Sequence, residues 1–482
     1  MYSILAHFPS YCLSEHVLTS SHVVVVSSMG FSFGPLFGGS PPPPPPPPRE
    51  HPVYLYIFVG LFVAQNFWEA YLKLRTRLRL RSENGVPLNV RKVLGNEIDE
   101  TEYAKSQSYS LAKNNFGIFA EHIYGVLTTI AELALQPYMW NGPALDLATY
   151  FGYGAEDELA RVAALMLIST PWDWLTSVPL SAYRVFVLEE KFGFNKYTAK
   201  SFFYDKLTSW LVDTVLSLLT MAPLVIVLRN LGANAWIYAW AFITCFALFF
   251  NIIHPIWVAP LFNTFKPLPE GEVRTGIENL VKATGLRCDR LFEVDGSRQS
   301  SHSNAYVAGF LGTKRIVIYD TLITHLDGDV NQICAVVAHE IGHSKLHHNW
   351  LQLVIVTFTL FTTFFTYGLC RTLPNLVTDF GFDAPCTYLY LHCFFLLYNS
   401  AVSPLMGPLM NAFTRQLEFQ ADEYSVKLDY DIRVPLKSLD VKNLGNLDPD
   451  PLVSLCHHSH PTLIQRCAAV EASLAAKAKK GK

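Results

Sequence analysis

Residues 331–350 read NQICAVVAHEIGHSKLHHNW, and at their centre stands His339-Glu340-Ile341-Gly342-His343, an H-E-x-x-H. On a helix, residues i and i+4 lie on one face, about 6 Å apart along the axis. Two imidazoles so placed can share one zinc ion, and Glu340 beside them can take a proton from a water on that ion. Zinc brings the pKa of such a water from about 15.7 to roughly 7, which makes hydroxide available at neutral pH. A five-residue pattern also arises by chance in long chains. A third ligand and a suitable context are therefore required.

Composition sets the context. The chain has 482 residues, half of them apolar and only 16% charged. Mean hydropathy is +0.22, greasier than an average soluble protein. With a net charge of −3, nothing points to a nucleic-acid partner. The nine cysteines are scattered, with no CxxC, and Cys245, Cys370, Cys386 and Cys393 sit in or beside apolar runs. They read as buried thiols, not as a disulfide framework or a cysteine zinc site.

Residues 1–50 read as a disordered leader. They end in the unbroken run Pro41 to Pro48, an extended polyproline II spacer or a ligand for a proline-binding partner. Val23 to Val26 is apolar but lacks a basic flank, so a cleaved signal peptide does not fit, and Met29 is an alternative start. Seven apolar runs follow, at 53–70, 116–135, 160–180, 208–228, 235–253, 350–370 and 386–410. Each is long enough to cross a bilayer, which takes roughly 17 to 25 residues. Glu121, Glu132, Asp173 and Asp213 lie within them. Ionisable groups at that depth usually face a water-filled interior, so the spans are expected to enclose a wet chamber.

Basic residues set the orientation. Lys73, Arg75, Arg77, Arg79 and Arg81 follow the first span, whereas loop 136–159 has no Lys or Arg. Arg184, Lys191, Lys196, Lys200 and Lys206 follow the third. The bias alternates with the N-terminus outside the cytosol. The expected organisation is a leader at 1–50, five spans at 51–253 and a cytosolic unit at 254–349 carrying the motif. Two further spans at 350–410 and a cytosolic C-terminal part at 411–482 complete it. Both soluble pieces then emerge on one side, as a shared metal site requires.

In the first piece, residues 272–284 carry apolar Val273, Ile277, Leu280 and Val281 at helical spacing, stopped by Gly285. Residues 290–294 and 314–319 read as strands, and Asp327 or Asp329 is placed to cap the motif helix. In the second piece, Glu418 and Asp422 are i and i+4 on an expected helix. Glu418 can complete a His-His-Glu site and leave the fourth zinc position open. Asp422 can accept the other N–H of a ligand imidazole. An exposed acidic helix face is the other reading of that spacing. A metzincin extension would need Gly at 346 and His at 349, where the chain has Leu346 and Asn349. His347 and His348 are therefore read as interfacial side chains. Leu326-Asp327-Gly328 immediately precedes the motif and is taken as coincidence, because the motif helix does not itself span a membrane.

Several segments resemble the type I CaaX prenyl endoproteases, the sterile-24 type. These are VLEEKFGFNKYT at 187–198, PLFNTFKPLPEG at 260–271 and SHSNAY at 301–306. The HEIGH motif, EFQAD at 418–422 and SHP at 459–461 continue the match in order. The resemblance implies a mostly α polytopic membrane enzyme, seven helices around a chamber, with a cytosolic zincin-like domain carrying a small β-element. It implies one zinc per chain held by His339, His343 and Glu418, with Glu340 as general base and Asp422 behind a ligand histidine. Asn304 and Ala305 resemble the edge-strand pair that holds substrate backbone. His460 and Arg466 match a family pair near the site, supporting the oxyanion or capping the last helix. Val307-Ala308 departs from the bulkier aromatics of the family.

The implied substrates are prenylated CaaX-terminated proteins, which lose their last three residues, within a lipid membrane. The implied location is the endoplasmic reticulum or nuclear envelope, with a luminal N-terminus. Lys479-Lys480-Gly481-Lys482 resembles a di-lysine retrieval signal, although a solvated basic tail accounts for it equally. Three other readings compete: a quality-control metalloprotease with no prenyl requirement, a transporter and an inactive scaffold.

Overall fold

The computed structural model of the chain describes residues 51–82, 85–309 and 314–480. The leader with its polyproline run, the 23–26 patch, Met29 and the last two residues of the basic tail lie outside the described residues. The long helices, in chain order, are α1 (Val53–Ser82), α2 (Glu100–Tyr150), α3 (Glu158–Tyr183), α4 (Ala199–Asn230) and α5 (Gly232–Leu261). A sheet and helix α6 (Glu272–Thr284) follow, then α7 (Val330–Lys345), α8 (His348–Cys370), α9 (Thr387–Lys427) and α10 (Leu463–Lys480).

Among the described residues, six helices are long and apolar enough to cross a membrane: α1, α2, α4, α5, α8 and α9. The expected third span falls in α3, which has 26 residues but is not among the six. Arg161, Asp173, Pro171 and Pro179 interrupt its apolar run. Arg161 does not face outward: it donates to the Trp140 carbonyl at 2.8 and 3.0 Å and lies over the Trp140 ring.

The spans are held at their ends and by a lateral core in which Leu224, Ile243, Leu360, Phe364 and Phe394 pack α4, α5, α8 and α9 together. At one end Phe58, Trp140, Val162, Phe380, Phe382 and Leu389 form one apolar core. At the other, Val90, Leu94, Tyr103, Leu447 and Leu463 form another. Between them little of each span is buried, from 6% of the most apolar stretch of α1 to 28% of α8. Arg75 joins the basic end of α1 to Asp450 at 2.8 Å, and Arg79 pairs with Asp448. Arg298 joins the loop before the sheet's edge strand to Asp205 of α4 at 3.2 Å. These polar ties join the basic end of α1 to the 448–450 segment and the N-terminal end of α4 to the segment before β3.

The sheet has four strands, β1 (Phe265–Pro267), β2 (Cys288–Val294), β3 (Ala305–Ala308) and β4 (Lys314–Tyr319), in the order β1-β2-β4-β3. Only the β2–β4 pair is parallel. Period-two alternation sends Ala305, Val307, Ile316 and Ile318 toward α6 and α7, where Ile277, Leu280, Ile333, Val337 and Ile341 receive them. Tyr306, Ala308 and Val317 face the other side. Gly285 ends α6 in the left-handed conformation (φ 60°). Asp329 begins α7, its Oδ1 accepting from the Gln332 N–H at 3.1 Å.

Helix α9 decides the architecture. It runs 41 residues without a break, about 60 Å at 1.5 Å per residue, twice the roughly 30 Å hydrocarbon thickness of a bilayer. Its C-terminal half therefore stands clear of the span and lies against α7. The approach is close at Gly342, where a Cβ would sit 3.1 Å from Tyr424 Cβ and 3.3 Å from the Ala421 backbone. Gly342→Val should therefore cost about 1–3 kcal/mol through overpacking. Gly407, also on α9, has open space around its Cα, so Gly407→Ala should leave stability nearly unchanged. Unfolding temperatures of the two variants in detergent check this, and equal values would contradict it.

Candidate metal centre

The α7–α9 contact carries the polar cluster. His339 and His343 project one turn apart from α7, and Glu418 meets them from α9; all three are buried. The two Nε2 atoms are 3.2 Å apart. Glu418 lies 3.5 Å from His339 Nε2 through Oε2 and 3.3 Å from His343 Nε2 through Oε1. These donors form the one His/Cys/Asp/Glu group among the described residues that could hold a metal ion.

The spacing tests the fit. Tetrahedral ligands at about 2.0–2.1 Å from a zinc-sized ion stand roughly 3.3–3.4 Å apart. Octahedral neighbours at about 2.4 Å from a calcium-sized ion would also stand roughly 3.4 Å apart. The spacing therefore shows a site of cation size, and the donor set, two imidazoles and one carboxylate, suits a transition metal such as zinc over calcium. Glu418 Oε2 is buried with no hydrogen-bond partner among the described residues, an orphaned acceptor that a cation satisfies.

Partners behind the imidazoles fix their tautomers. His339 Nδ1–H donates to Asp422 Oδ1 at 2.9 Å, leaving Nε2 free to ligate. Arg466 grips the same carboxylate with two bonds, Nε to Oδ2 at 2.8 Å and Nη2 to Oδ1 at 2.6 Å. Burial alone would lower the Arg466 pKa, but Asp422 outweighs it and holds the guanidinium above its usual range. Arg466 thus faces Asp422 and the Nδ1 side of His339, not the Nε2 side.

His343 is held by a partner the sequence reading passed over. Its Nδ1–H donates to His348 Nδ1 at 2.9 Å, and His348 Nε2–H donates to Gln420 Oε1 at 3.1 Å. His348 is 1% exposed and is not an interfacial side chain. A turn at His347, with φ 60°, brings it back under the motif. The available signal was a histidine five residues beyond the motif, together with Gln420 between Glu418 and Asp422.

Glu340 is partly buried, and its Oε2 has no hydrogen-bond partner among the described residues. Burial raises its carboxyl pKa, opposed by the neighbouring imidazoles. His460 is exposed at the rim, its Nε2 3.6 Å from Glu418 Oε2. Asn304 immediately precedes β3 at the sheet edge. Its Oδ1 accepts from the Ala305 N–H at 2.8 Å and its carbonyl from the Tyr319 N–H at 3.1 Å. Ala305 and Val307 share the core with Ile333 and Val337 of the motif helix, which sets the edge strand beside the cluster. Leu326-Asp327-Gly328 forms a tight turn with positive φ at Asp327 and Gly328.

Comparison with known proteins follows the same outline. Residues 77–264 match the model of the CAAX prenyl protease N-terminal region, described as five membrane helices. Residues 267–474 match that of peptidase family M48. A CAAX prenyl protease 1 homolog of Arabidopsis thaliana is 34% identical, covering 86% of this chain and 96% of the relative. The CAAX prenyl protease 1 of Saccharomyces cerevisiae is 32% identical, covering 86% and 94%. The crystal structure of S. mikatae Ste24p aligns with a TM-score of 0.77 at 31% identity, covering 89% of this chain and 100% of that one.

Two outcomes are expected. Replacing His348 by Phe frees the His343 ring and should weaken metal affinity about 10–100-fold, read by chelator competition with the unfolding temperature as a control. The second concerns pH. Burial alone would lower the His339 pKa, but Asp422 and Glu418 outweigh it and raise it to about 10. Below that pH an incoming cation must displace a proton, so apparent affinity should rise about tenfold per pH unit between roughly pH 6 and 9. A flat profile would show the imidazole already neutral.

Proposed function

Because the chain belongs to the CAAX prenyl protease 1 group of peptidase family M48, we propose that it removes the last three residues of prenylated CaaX proteins. It does so as a zinc-dependent endopeptidase in the endoplasmic reticulum membrane. The observation that carries this reading is the meeting of His339 and His343 of α7 with Glu418 of α9, a helix that also carries an apolar stretch long enough to span, with their donor atoms 3.2–3.5 Å apart.

His339, His343 and Glu418 would hold the zinc through Nε2, Nε2 and the carboxylate. When bound, it would supply Lewis acidity toward the scissile carbonyl and lower the pKa of the attacking water. Asp422 and His348 keep both Nε2 lone pairs aimed at one point, and Arg466 acts through Asp422. Glu340 takes the proton from the attacking water and passes it to the leaving amine, a role its burial-raised pKa suits. The substrate backbone lies extended beside Asn304 and Ala305 as an added strand. His460, exposed at the rim, donates to the oxyanion that develops there.

The membrane part serves the lipid. We place the N-terminus in the lumen and residues 254–349 and 411–482 in the cytosol, with the spans at 51–253 and 350–410 around a chamber. Glu132 and Asp173, ionisable groups within two of these helices, support a polar interior between them. A farnesyl chain is insoluble in the cytosol, its burial being worth about 0.8 kcal/mol per CH₂, and the chamber shelters it while the peptide reaches the metal.

Glu340→Gln should keep its zinc and lower cleavage of a farnesylated CaaX peptide by at least about a hundredfold. Mass spectrometry of the product, alongside the unmodified twin peptide, reads both the cut and the prenyl requirement. Equal rates on the two peptides would favour a quality-control protease. Undiminished cleavage by the variant would remove Glu340 from the chemistry.

A further inference from the structure

Away from the metal cluster, a half-open cavity of about 420 Å³ lies between the start of β4, the end of α7 and the first turn of α8. Its walls carry three basic side chains from three different segments: Arg287 before β2, Lys314 on β4 and Lys345 on α7. His347 and Ser344 add hydrogen-bonding groups, and Trp350 closes one side. No carboxylate among the described residues pairs with Arg287 or Lys345. Among the described residues Lys314 is tied to the Gly309 carbonyl alone. A concave surface with this charge suits a phosphate.

Its depth says where that phosphate comes from. The outward apolar face of α8 begins at the cavity wall: Trp350 is 44% exposed, Val354 63% and Phe358 65%. On the neighbouring side, Arg315 Nη1 donates to the Pro255 carbonyl at 3.2 Å, which ties β4 to the end of α5. Trp257 stands there 69% exposed. Exposed tryptophans at the ends of two spans mark the level of lipid headgroups. The cavity opens at that level, where basic pockets beside spans hold anionic headgroups. Asn349, also in the wall, has a buried Oδ1 with no hydrogen-bond partner among the described residues, so a headgroup hydroxyl has an acceptor.

We propose that this cavity binds the phosphate headgroup of an anionic phospholipid from the leaflet facing the peptidase domain. Its likeness to a free-phosphate site ends at Trp350 and Trp257, exposed at the headgroup level where two apolar helices end. The inference rests on the membrane reading above and not on peptidase activity. A bound lipid there would brace the junction between the motif helix and α8.

The full chain is reconstituted in nanodiscs of phosphatidylcholine with a minor fraction of phosphatidylinositol, and retained lipid is counted by native mass spectrometry. Wild type should retain phosphatidylinositol in preference to phosphatidylcholine. Arg287→Gln with Lys345→Gln should weaken that retention about fivefold per charge removed, whereas Arg287→Lys with Lys345→Arg should restore it. Zinc content and unfolding temperature report whether each variant is folded. Equal phosphatidylinositol retention by wild type and the charge-removed variant overturns the proposal. So does displacement of the lipid by millimolar inorganic phosphate, which would assign the cavity to free phosphate. Lipid retention without CaaX cleavage would sink the proposed activity and leave this site standing; cleavage without lipid preference would do the reverse.

Discussion

The close packing of α7 on α9 at Gly342 and Ala421 is the constraint on which the rest of the molecule depends. Two backbones can approach this far only because one position has no side chain. That approach lets a glutamate on one helix reach two histidines on the other. It also aligns Asp422 with His339, and Gln420 through His348 with His343. Removing a buried polar group from this network leaves its partner unsatisfied, which makes the arrangement cooperative and sensitive to small shifts.

Membrane part and site share their elements. Helix α9 is helical without interruption from its apolar stretch to Glu418, with Pro404 and Pro408 inside it. Helix α8 begins at His348, which already braces His343. Each soluble element that carries a donor is thus continuous with, or joined by one turn to, an apolar helix. Ion pairs such as Arg75–Asp450 fasten the remaining spans to the same end. The arrangement puts a polar, water-using cluster at a fixed height relative to the lipid, which a substrate anchored by a hydrocarbon chain requires.

Much of this was legible in the chain. The 272–284 helix, strand 314–319 and the Asp329 cap were readable because local periodicity and capping chemistry are short-range. That Glu418 would meet the histidines was not readable from spacing alone. It followed from an even number of crossings between the two pieces, a topological count. Other features carried no local signal. Strand β1 is three residues with a proline, too short for any alternation to register. The burial of His348 depends on a positive φ at His347, which histidine composition does not announce. The third apolar run is helical, but its charge and prolines keep it below the hydropathy of the other six.

The central claim is that one divalent ion sits between His339 Nε2, His343 Nε2 and the Glu418 carboxylate. Anomalous scattering from crystals of the purified chain, recorded on either side of the zinc edge, tests it directly. The account predicts one peak per chain within about 2.0–2.2 Å of all three donors. A peak ligated by other residues, or zinc-loaded protein with no peak at this cluster, would contradict it.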